Sequence, residues 1–314
     1  MKTSTRTETR IETQTETRQN RLEHRLGGGV LYDQPLSELC SFGVGGPLQY
    51  LYKPATTHQL REALLVSAEL AIPIRFVGIG SRMLAGDWGF KGLGIRLAGK
   101  LAQVEVDPQD DRYLLVGAGC PIETLLPFAL ERGIDASCLA GLTGSLGGAL
   151  LAGDPGYDAE LRTMIDSAEV IDREGEVRWV VRARSQTMAR LGGFAALTRV
   201  RLGPCDPHLD RELARARAKA CMEFRQAFRP EGPFLGPIFR NPEGQLASHM
   251  VDRAGLRGAR IGQAQFSLVQ SNYLVNLGGA TARDALELMD LATYRVKRKL
   301  GASLQLEVQL MGAF

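Results

Sequence analysis

Clusters of glycine constrain the fold of this chain more than any other feature of its sequence. They lie at 43–46 (GVGG), 78–81 (GIGS), 117–119 (GAG) and 141–148 (GLTGSLGG). Glycine adopts positive φ without strain and lets backbone N–H groups approach an anion closely. Such loops therefore form tight turns or hold a pyrophosphate. A tight turn explains any one cluster, but several clusters within one stretch favour a dinucleotide-binding site.

A Rossmann fingerprint does not account for these loops. In the pattern G-x-G-x-x-G, the third glycine after the apolar run 113–116 would have to stand where Ile122 is found. After the run 74–77, it would have to stand where Met83 is found. The clusters therefore predict that another scaffold holds the phosphates.

Short runs typical of strands alternate with helical patterns from about residue 40. The predicted strands are 49–52, 74–77, 93–97, 101–106, 113–116, 169–172, 177–181, 195–202 and 304–311. The predicted helices are 57–71, 121–132, 211–228 and 281–300. Gly203-Pro204 interrupts the pattern, and we place a domain boundary there.

The last two predicted helices carry the clearest local signals. Apolar residues with helical spacing in 211–228 predict an inward face. We interpret the opposite, arginine-rich face as solvated, with binding of a pyrophosphate as the alternative. The predicted inward residues are Leu213, Ala216, Ala220, Phe224 and Phe228. Helix 281–300 has a capping-box pattern, Thr281 with Asp284, and Gly301 follows its basic last turn.

The N-terminal segment differs in composition from the rest of the chain. Its first 26 residues alternate Thr, Arg and Glu, with six basic and four acidic side chains. This low hydrophobicity predicts a disordered extension over 1–30. A strand and an organelle transit peptide are the alternatives, although four glutamates argue against a transit peptide. The remaining chain is nearly neutral, so no basic field indicates a nucleic-acid partner.

Neither membrane segments nor metal-ligand patterns stand out in the sequence. No stretch approaches the ~18 apolar residues that span a bilayer, and the N-terminus lacks the apolar segment of a secretory signal. The five cysteines are scattered without a C-x-x-C pair, which is typical of reduced thiols. His249 has no partner at metal-ligand spacing. These features predict a cytoplasmic protein with no metal site and no membrane association.

Three segments of the N-terminal half resemble one family of reductases. Residues 41–47 (SFGVGGP) are similar to its opening TFRIGGPA, and 77–92 (VGIGSRMLAGDWGFKG) to LGxGSNLLVxDxGFxG. Residues 140–149 (AGLTGSLGGA) are similar to PGIPGTVGGA. The family is UDP-N-acetylenolpyruvoylglucosamine reductase, also called UDP-N-acetylmuramate dehydrogenase.

The C-terminal third carries the same resemblance. Residues 238–242 (IFRNP) are similar to VFKNP, and 254–267 (AGLRGARIGQAQFS) to AGLKGxRIGGAQVS. Residues 304–312 (LQLEVQLMG) are similar to the closing LEPEVRxIG. The matches run in order and together cover 36–312, which is not expected by coincidence.

The resemblance implies an α+β protein with a two-lobed FAD-binding domain of the vanillyl-alcohol-oxidase (PCMH) type and a smaller α+β substrate domain. We place the FAD-binding domain at 31–203, with lobes at 31–98 and 99–203, and the substrate domain at 204–314. The last strand is expected to return to the FAD-binding domain. The implied cofactors are FAD and NADPH, the implied substrate is an enolpyruvyl UDP-sugar, and we expect a monomer.

The resemblance also assigns roles to individual residues. The implied cofactor-binding residues are Gly45, Gly78, Ile79, Gly80, Ser81, Arg82, Met83, Gly141, Thr143, Gly144, Ser145, Gly147 and Gly148. The implied substrate-binding residues are Arg240, Asn241, Gln270 and Asn272. Glu307 takes the place of a catalytic glutamate, and a carboxylate flanked by apolar residues is itself unusual at a surface. Arg184 is the nearest counterpart of a catalytic arginine in a YRxS motif, with a solvated arginine as the alternative.

The chain departs from the family pattern at residues that carry the chemistry. Pro237 stands where the family has a proton-donating serine, and proline has no O–H group. Gln270 replaces a histidine, Gln309 an arginine and Arg82 an asparagine. Losing a general acid costs ~10²–10⁴-fold in rate, although water or Ser185 could substitute. We expect FAD to be retained and the reduction to be weak or redirected; a flavin- or nucleotide-sugar-binding relative without this turnover is the alternative.

Overall fold

The computed structural model of the chain describes residues 18–152, 157–181 and 194–314. Its helices are α1 (18–26), α2 (Thr57–Glu69), α3 (Ile122–Glu131), α4 (Leu146–Ala152), α5 (Asp158–Met164), α6 (Arg211–Ala227), α7 (Ala247–Arg253) and α8 (Ala282–Leu300). Its strands are β1 (Leu31–Pro35), β2 (Pro47–Tyr52), β3 (Ile74–Phe76), β4 (Met83–Ala85), β5 (Phe90–Ile95), β6 (Val104–Val106), β7 (Leu114–Gly117), β8 (Ile165–Asp172), β9 (Val177–Val181), β10 (Phe194–Leu202), β11 (Phe234–Leu235), β12 (Arg260–Ile261), β13 (Ala264–Phe266), β14 (Leu274–Asn276) and β15 (Gln309–Met311). Short 3-10 helices lie at Leu36–Glu38, Gly99–Ala102 and Ser137–Leu139.

The first lobe is a mixed sheet with the strand order β1-β2-β5-β3. β1 pairs antiparallel with β2, whereas β2, β5 and β3 run parallel to one another. α2 follows β2, and the Thr56 side chain caps its N-terminus. Leu60 and Val66 of α2 pack with Leu93 of β5 in the core of this lobe.

The N-terminal extension is not disordered throughout, and that prediction is wrong for residues 18–26. They form α1, whose fully buried Leu22 and buried Leu26 join the core around Leu60. Two leucines four residues apart lie on the same face of a helix, which is enough to dock one short helix but too little to signal it in the sequence. Residues 1–17 lie outside the described part of the chain.

The second lobe is an antiparallel sheet with the strand order β6-β7-β10-β8-β9. α3, α4 and α5 supply Leu125, Leu146 and Leu161 to its core. The predicted strand 101–106 is wrong for 101–103, because the 3-10 helix extends to Ala102 and the strand begins at Val104. Leu101 in this helix is buried in the core of the first lobe, so the turn carries the chain from one lobe to the other.

A buried ion pair lies where the two lobes meet. Glu169 of β8 is 4% exposed and accepts hydrogen bonds from Thr57 Oγ1 of α2 (2.8 Å) and from Arg199 Nη2 of β10 (2.6 Å). Burial raises the pKa of Glu169, but the donors Arg199, Thr198 and Thr57 outweigh burial and hold this pKa below its ordinary value. The contact between the lobes therefore depends on an ionised carboxylate.

The C-terminal domain has an antiparallel sheet with the strand order β11-β14-β13-β12, packed with α7 and α8. At the start of α8, Thr281 and Asp284 exchange the side chain–backbone hydrogen bonds of a capping box, and Gly301 ends the helix with φ of 68°. Both predictions for this helix are confirmed. Phe42 and Leu84 of the first lobe lie in the same apolar core, so this domain is packed directly on the first lobe.

α6 packs with a different face from the predicted one. Ala214 and Ala218 are buried against Leu130 of the second lobe, whereas the residues predicted to face inward are exposed. Small side chains let the helix approach the loop after Ser137–Leu139 closely, which large side chains would prevent. The domain boundary placed after residue 203 precedes α6 and stays a prediction.

The closing segment returns to the first lobe, as expected, but its strand is shorter than 304–311. Leu306 forms an isolated bridge with Phe239, and the Glu307 amide donates to the Ile238 carbonyl (2.8 Å). β15 then pairs in parallel with β4. The segment thus bonds first to the C-terminal domain and then to the first lobe, and Glu307 lies at the crossing.

Candidate active site

A cavity of about 800 Å³, which we call the interlobe cavity, lies between the two lobes. Its walls come from the turn before β2, the loop after β3, the end of β5, the start of α4 and the beginning of β10. This volume lies within the range typical of sites for small molecules and cofactors.

The glycine loops form part of the wall of the interlobe cavity. Of the residues predicted to bind the cofactor, those in the wall are Gly78, Ile79, Ser145, Gly147 and Gly148. Within the described residues, the backbone amides of 78–81 donate to no acceptor. A Cβ atom added to Gly78 would lie 3.8 Å from the Ser145 hydroxyl oxygen, and one added to Gly148 would lie 3.4 Å from it. The loop 78–81 therefore offers free N–H groups, and open space lies beside Gly78 and Gly148, which a diphosphate requires.

The two glycine loops also touch each other. The Ser81 hydroxyl donates to the Thr143 carbonyl (3.3 Å), and a Cβ on Gly144 would lie 3.8 Å from the Ser81 hydroxyl oxygen. The Ser41 amide donates to the Gly80 carbonyl (3.2 Å). The Gly80 carbonyl and the Ser81 hydroxyl thus hold the loops in place, while the backbone amides of both residues donate to no acceptor among the described residues.

The remaining residues predicted to bind the cofactor lie elsewhere. Gly45 is explained by packing alone, because a Cβ there would lie 2.5 Å from the Ala85 Cβ. Met83 belongs to β4, where it is opposite Gln309 of β15. A second cavity contains Arg82, Gly141 and Thr143 in its wall.

Sequence reasoning missed a basic residue in the wall of the interlobe cavity. Arg96 follows β5, and its Nη2 donates to the Gly78 carbonyl (2.9 Å). Its Nε is buried with no acceptor among the described residues, and burial lowers the pKa of the guanidinium. The signal available in the sequence was a cation inside the apolar run 93–97. Free amides beside an unpaired cation fit a cofactor that contains a diphosphate, such as FAD.

The second cavity, which we call the cleft, has a volume of about 440 Å³ and lies between α6, the loop 141–148 and the C-terminal domain. Its lining residues are Arg82, Gly141, Leu142, Thr143, Phe224, Arg225, Phe228, Arg229, Phe234, Gly236, Pro237, Leu246, Ser248, His249, Gln270 and Tyr273. The loop 141–148 contributes to both cavities, so the interlobe cavity and the cleft are neighbours.

Glu307 reaches the cleft through an ion pair. Its Oε1 is 2.5 Å from Nη1 of Arg82 in the cleft wall, and its side chain is only 11% exposed. The carboxylate therefore lies among protein groups rather than in bulk solvent. Gln309, two residues later, lines the interlobe cavity. One short segment thus connects the carboxylate at the cleft with the wall of the interlobe cavity.

The cation beside Glu307 is Arg82, which immediately precedes β4, the strand that pairs with β15. Relative to the family motifs, Arg82 replaces an asparagine and Gln309 replaces an arginine. The Gln309 amide donates to the Arg82 carbonyl (2.8 Å), so the two positions are neighbours across the β4–β15 pair. At this strand pair the chain therefore has a cation at Arg82 and a neutral side chain at Gln309.

Of the four residues predicted to bind the substrate, Gln270 lines the cleft. Asn272 is buried, and its side-chain amide bonds both the N–H (2.9 Å) and the carbonyl (2.8 Å) of Phe239. Asn241 accepts a hydrogen bond from the first amide of α7 (3.0 Å), and Arg240 is exposed outside the cleft wall. Asn241 and Asn272 therefore fix the backbone that carries the cleft residues.

Pro237, which replaces the serine of the family motif, lies in the cleft wall and supplies no hydroxyl there. Ser248 and His249 of α7 line the same cleft and carry groups that can exchange protons. Arg184 and Ser185 fall outside the described residues, and the role of Arg184 stays a prediction.

α6 presents aromatic and basic side chains to the cleft. Phe224 and Phe228 pack edge to face, with ring centroids 5.1 Å apart. Arg225 and Arg229 donate to backbone carbonyls at the start of the loop 141–148, and neither pairs with a carboxylate within the described ranges. The interpretation of the α6 arginines as a solvated face is therefore wrong for these two residues.

Neither a metal-binding cluster nor a membrane-spanning helix is found in the described part of the chain. No cluster of three or more His, Cys, Asp or Glu side chains there could hold a metal ion. No helix of 18–152, 157–181 or 194–314 is both long and apolar enough to cross a bilayer.

The two lobes and the added C-terminal domain define a class of proteins, the FAD-binding oxidoreductases with an additional C-terminal domain. A model of an FAD-binding domain matches residues 47–180, and a model of the UDP-N-acetylenolpyruvoylglucosamine reductase C-terminal domain matches residues 229–311. The chain belongs to the UDP-N-acetylenolpyruvoylglucosamine reductase family, whose members act in peptidoglycan precursor synthesis.

Relatives match the chain along most of its length. UDP-N-acetylenolpyruvoylglucosamine reductase 2 of Symbiobacterium thermophilum is 32% identical over 284 residues, which cover 89% of this chain and 91% of the relative. The reductase of Anaeromyxobacter sp. is 35% identical over 301 residues, which cover 93% and 92%. The crystal structure of the Thermus caldophilus reductase is 29% identical, with a TM-score of 0.70, and covers 88% of this chain and 97% of its own. The family, the α+β fold with a PCMH-type domain and FAD as cofactor are confirmed.

Proposed function

We propose that this chain reduces the enolpyruvyl group of UDP-N-acetylglucosamine enolpyruvate to give UDP-N-acetylmuramate, with NADPH as the reductant. The observation that carries the proposal is the position of Glu307. Its carboxylate pairs with Arg82 of the cleft, and Gln309, two residues on, lines the interlobe cavity. A substrate in the cleft and a cofactor in the interlobe cavity would meet at this segment.

Backbone groups of the two lobes hold the cofactor in this proposal. The free amides of 78–81 and the wall residues Ser145, Gly147 and Gly148 receive FAD. When bound, FAD supplies the substrate double bond with a hydride that originates from NADPH. Both cavities are built from one chain, so we propose that a monomer is sufficient for the reaction.

In this proposal Arg82 stabilises the negative charge that develops in the reaction, and Glu307 orients Arg82. Hydride addition to an enolpyruvyl group leaves negative charge on the carbon that bears the carboxylate, and a fixed cation stabilises this charge. We assign this cation to Arg82, because it lines the cleft and is held by Glu307 at 2.5 Å. Glu307 keeps the guanidinium in one orientation, so the site needs little reorganisation during the reaction. Arg184 is proposed as a second cation.

The uridine diphosphate is assigned to the α6 side of the cleft. Arg225 and Arg229 supply positive charge without carboxylate partners in the described residues, and arginine suits diphosphate recognition. Phe224 and Phe228 offer ring faces and edges beside them, on which a uracil base can stack. Gln270 completes the polar lining on the opposite side.

Proton delivery is the weak point of the site. The carbanionic carbon must receive a proton, and Pro237 provides none. We propose that turnover is therefore slow, with water or a neighbouring cleft group acting as the donor. The same observation favours a second candidate function, a flavoprotein that binds a nucleotide sugar but has lost or redirected this reduction.

An anaerobic absorbance experiment tests the proposed function. The purified protein with bound FAD is bleached with one equivalent of NADPH and then mixed with UDP-N-acetylglucosamine enolpyruvate. Return of the oxidised flavin spectrum, but not with UDP-N-acetylglucosamine, supports the proposal. Bleaching without this return supports the second candidate. If the purified protein is colourless and does not bind added FAD, both candidate functions are overturned.

A further inference from the structure

Arg96 carries a positive charge that the described part of the protein does not compensate. Its Nη2 donates to the carbonyls of Gly78 (2.9 Å) and Leu39 (3.4 Å), while Nε is buried without an acceptor. Nη1 has no acceptor in the described residues. Glu38 also lines the interlobe cavity, but its side chain is exposed and forms no ion pair with Arg96 within the described ranges.

An uncompensated cation in this position is costly to the folded protein. Burying a charge without a counter-charge costs free energy, since carbonyl dipoles replace only part of the lost hydration. The lowered pKa of Arg96, caused by burial, has the same origin. An anion bound in the interlobe cavity would remove this cost.

The location of Arg96 indicates which anion. The Val77 amide donates to the Ile95 carbonyl (2.8 Å), so Arg96 and Gly78 are neighbours where two parallel strands end. The free amides of 78–81 begin at the same point. A forked guanidinium beside a row of free N–H groups suits the oxygen atoms of phosphates, which accept several hydrogen bonds at once.

We propose that Arg96 binds the diphosphate of FAD together with the amides of 78–81. The proposal rests on FAD binding in the interlobe cavity, which the proposed function also requires. Riboflavin contains the isoalloxazine ring without any phosphate. Arg96 therefore contributes to the affinity for FAD and not to the affinity for riboflavin.

Flavin titration of the apoprotein tests this proposal. Dissociation constants for FAD and riboflavin are measured by flavin fluorescence for the wild type, Arg96→Gln, Arg96→Lys and the control Arg75→Gln. Arg75 is an exposed arginine of the adjacent strand β3. We expect Arg96→Gln to weaken FAD binding roughly 10- to 100-fold, the range for a lost charged hydrogen bond, with riboflavin binding unchanged. Arg96→Lys restores part of the loss, because it keeps the charge but not the fork, and Arg75→Gln matches the wild type.

Salt dependence separates a phosphate contact from a purely structural role. FAD affinity of the wild type should fall with ionic strength more steeply than that of Arg96→Gln, while riboflavin affinity changes little in either protein. If Arg96→Gln weakens the binding of FAD and of riboflavin equally, Arg96 only shapes the loop, and the proposal is overturned. Unchanged FAD affinity also overturns it. If the wild type binds riboflavin and FAD equally well, the role of Arg96 is contradicted but the proposed reduction is not. If the wild type binds neither flavin, both the role of Arg96 and the proposed reduction are contradicted.

Discussion

The interlobe cavity and the cleft differ in the groups that line them. Apolar residues make up most of the wall of the interlobe cavity, and the glycine loops that complete it have motifs close to the family pattern. The cleft depends on side chains, and here the chain departs from the pattern at Pro237, Gln270 and Arg82. Backbone donors survive most substitutions as long as the loop geometry is kept, whereas a single substitution removes a side-chain donor. Cofactor binding and turnover can therefore change independently in this protein.

Replacement of Glu307 by glutamine should lower turnover more than any other substitution proposed below and should leave FAD binding unchanged. Glu307→Gln leaves Arg82 without the anion that holds it, so we expect kcat to fall about 100- to 1000-fold, the range for losing a preorganised electrostatic contact. FAD content, measured from the absorbance spectrum, should stay at the wild-type level.

Glu287→Gln is the matched control, since it also breaks a carboxylate–arginine pair, but one at the surface of α8. It should match the wild type in both measurements. Loss of FAD from Glu307→Gln, or unchanged kcat, would contradict the separation of the two sites.

The α6 arginines should affect substrate binding alone. The double variant Arg225→Gln/Arg229→Gln removes the cations of the cleft, and we expect KM for the UDP-sugar to rise about 10- to 100-fold. Arg215→Gln, on an exposed part of the same helix, serves as control. A fall in kcat with unchanged KM would place the diphosphate elsewhere.

Restoring a hydroxyl at the position of Pro237 should increase turnover without changing cofactor binding. We expect Pro237→Ser to raise kcat about tenfold, a part of what a well-placed general acid contributes, with no change in FAD binding. Steady-state oxidation of NADPH measures this gain. Pro233→Ser, at an exposed proline outside the cleft wall, controls for the general effect of removing a proline. A kcat that stays the same or falls would show that the missing serine does not limit the rate.

The contact between the lobes should give the smallest effect, and it depends on pH. Thr57→Val removes a hydrogen bond to the ionised Glu169, so the free energy of unfolding at pH 7 should drop by about 1–2 kcal/mol. Because the pKa of Glu169 is lowered in the folded state, this stabilisation is complete above the ordinary carboxyl pKa of 4.5 and is lost as the pH falls through the lowered value.

Urea unfolding of the wild type and Thr57→Val at pH 7 and in the acid range measures the difference. Thr293→Val of α8, far from the lobe contact, is the control, because its hydroxyl bonds a helix carbonyl rather than a carboxylate. A difference between wild type and Thr57→Val that does not shrink in acid would exclude Glu169 as its cause.

The parts of the fold that the sequence predicts are those encoded locally. The capping box at Thr281, the end of α8 at Gly301 and the glycine loops each lie within a few neighbouring residues. The spacing of apolar residues also locates α2 and α6. Local patterns of this kind specify where an element begins and ends.

The parts that sequence reasoning missed depend on distant contacts. The apolar residues Phe224 and Phe228 face a cleft rather than a core, and a hydrophobic stripe looks the same in both cases. The pair of Arg82 with Glu307 joins residues 225 positions apart, so no pattern in one sequence indicates it. The sequence shows Arg96 as a cation in an apolar run, but only the structure shows that its Nε has no acceptor among the described residues.

A crystal structure of the purified protein with UDP-N-acetylglucosamine would show directly where the cofactor and the nucleotide sugar bind. We expect FAD in the interlobe cavity with its diphosphate at the amides of 78–81, and the uridine diphosphate in the cleft beside Arg225 and Arg229. Density for FAD outside the interlobe cavity, or for the nucleotide sugar on another face of the protein, would contradict this expectation.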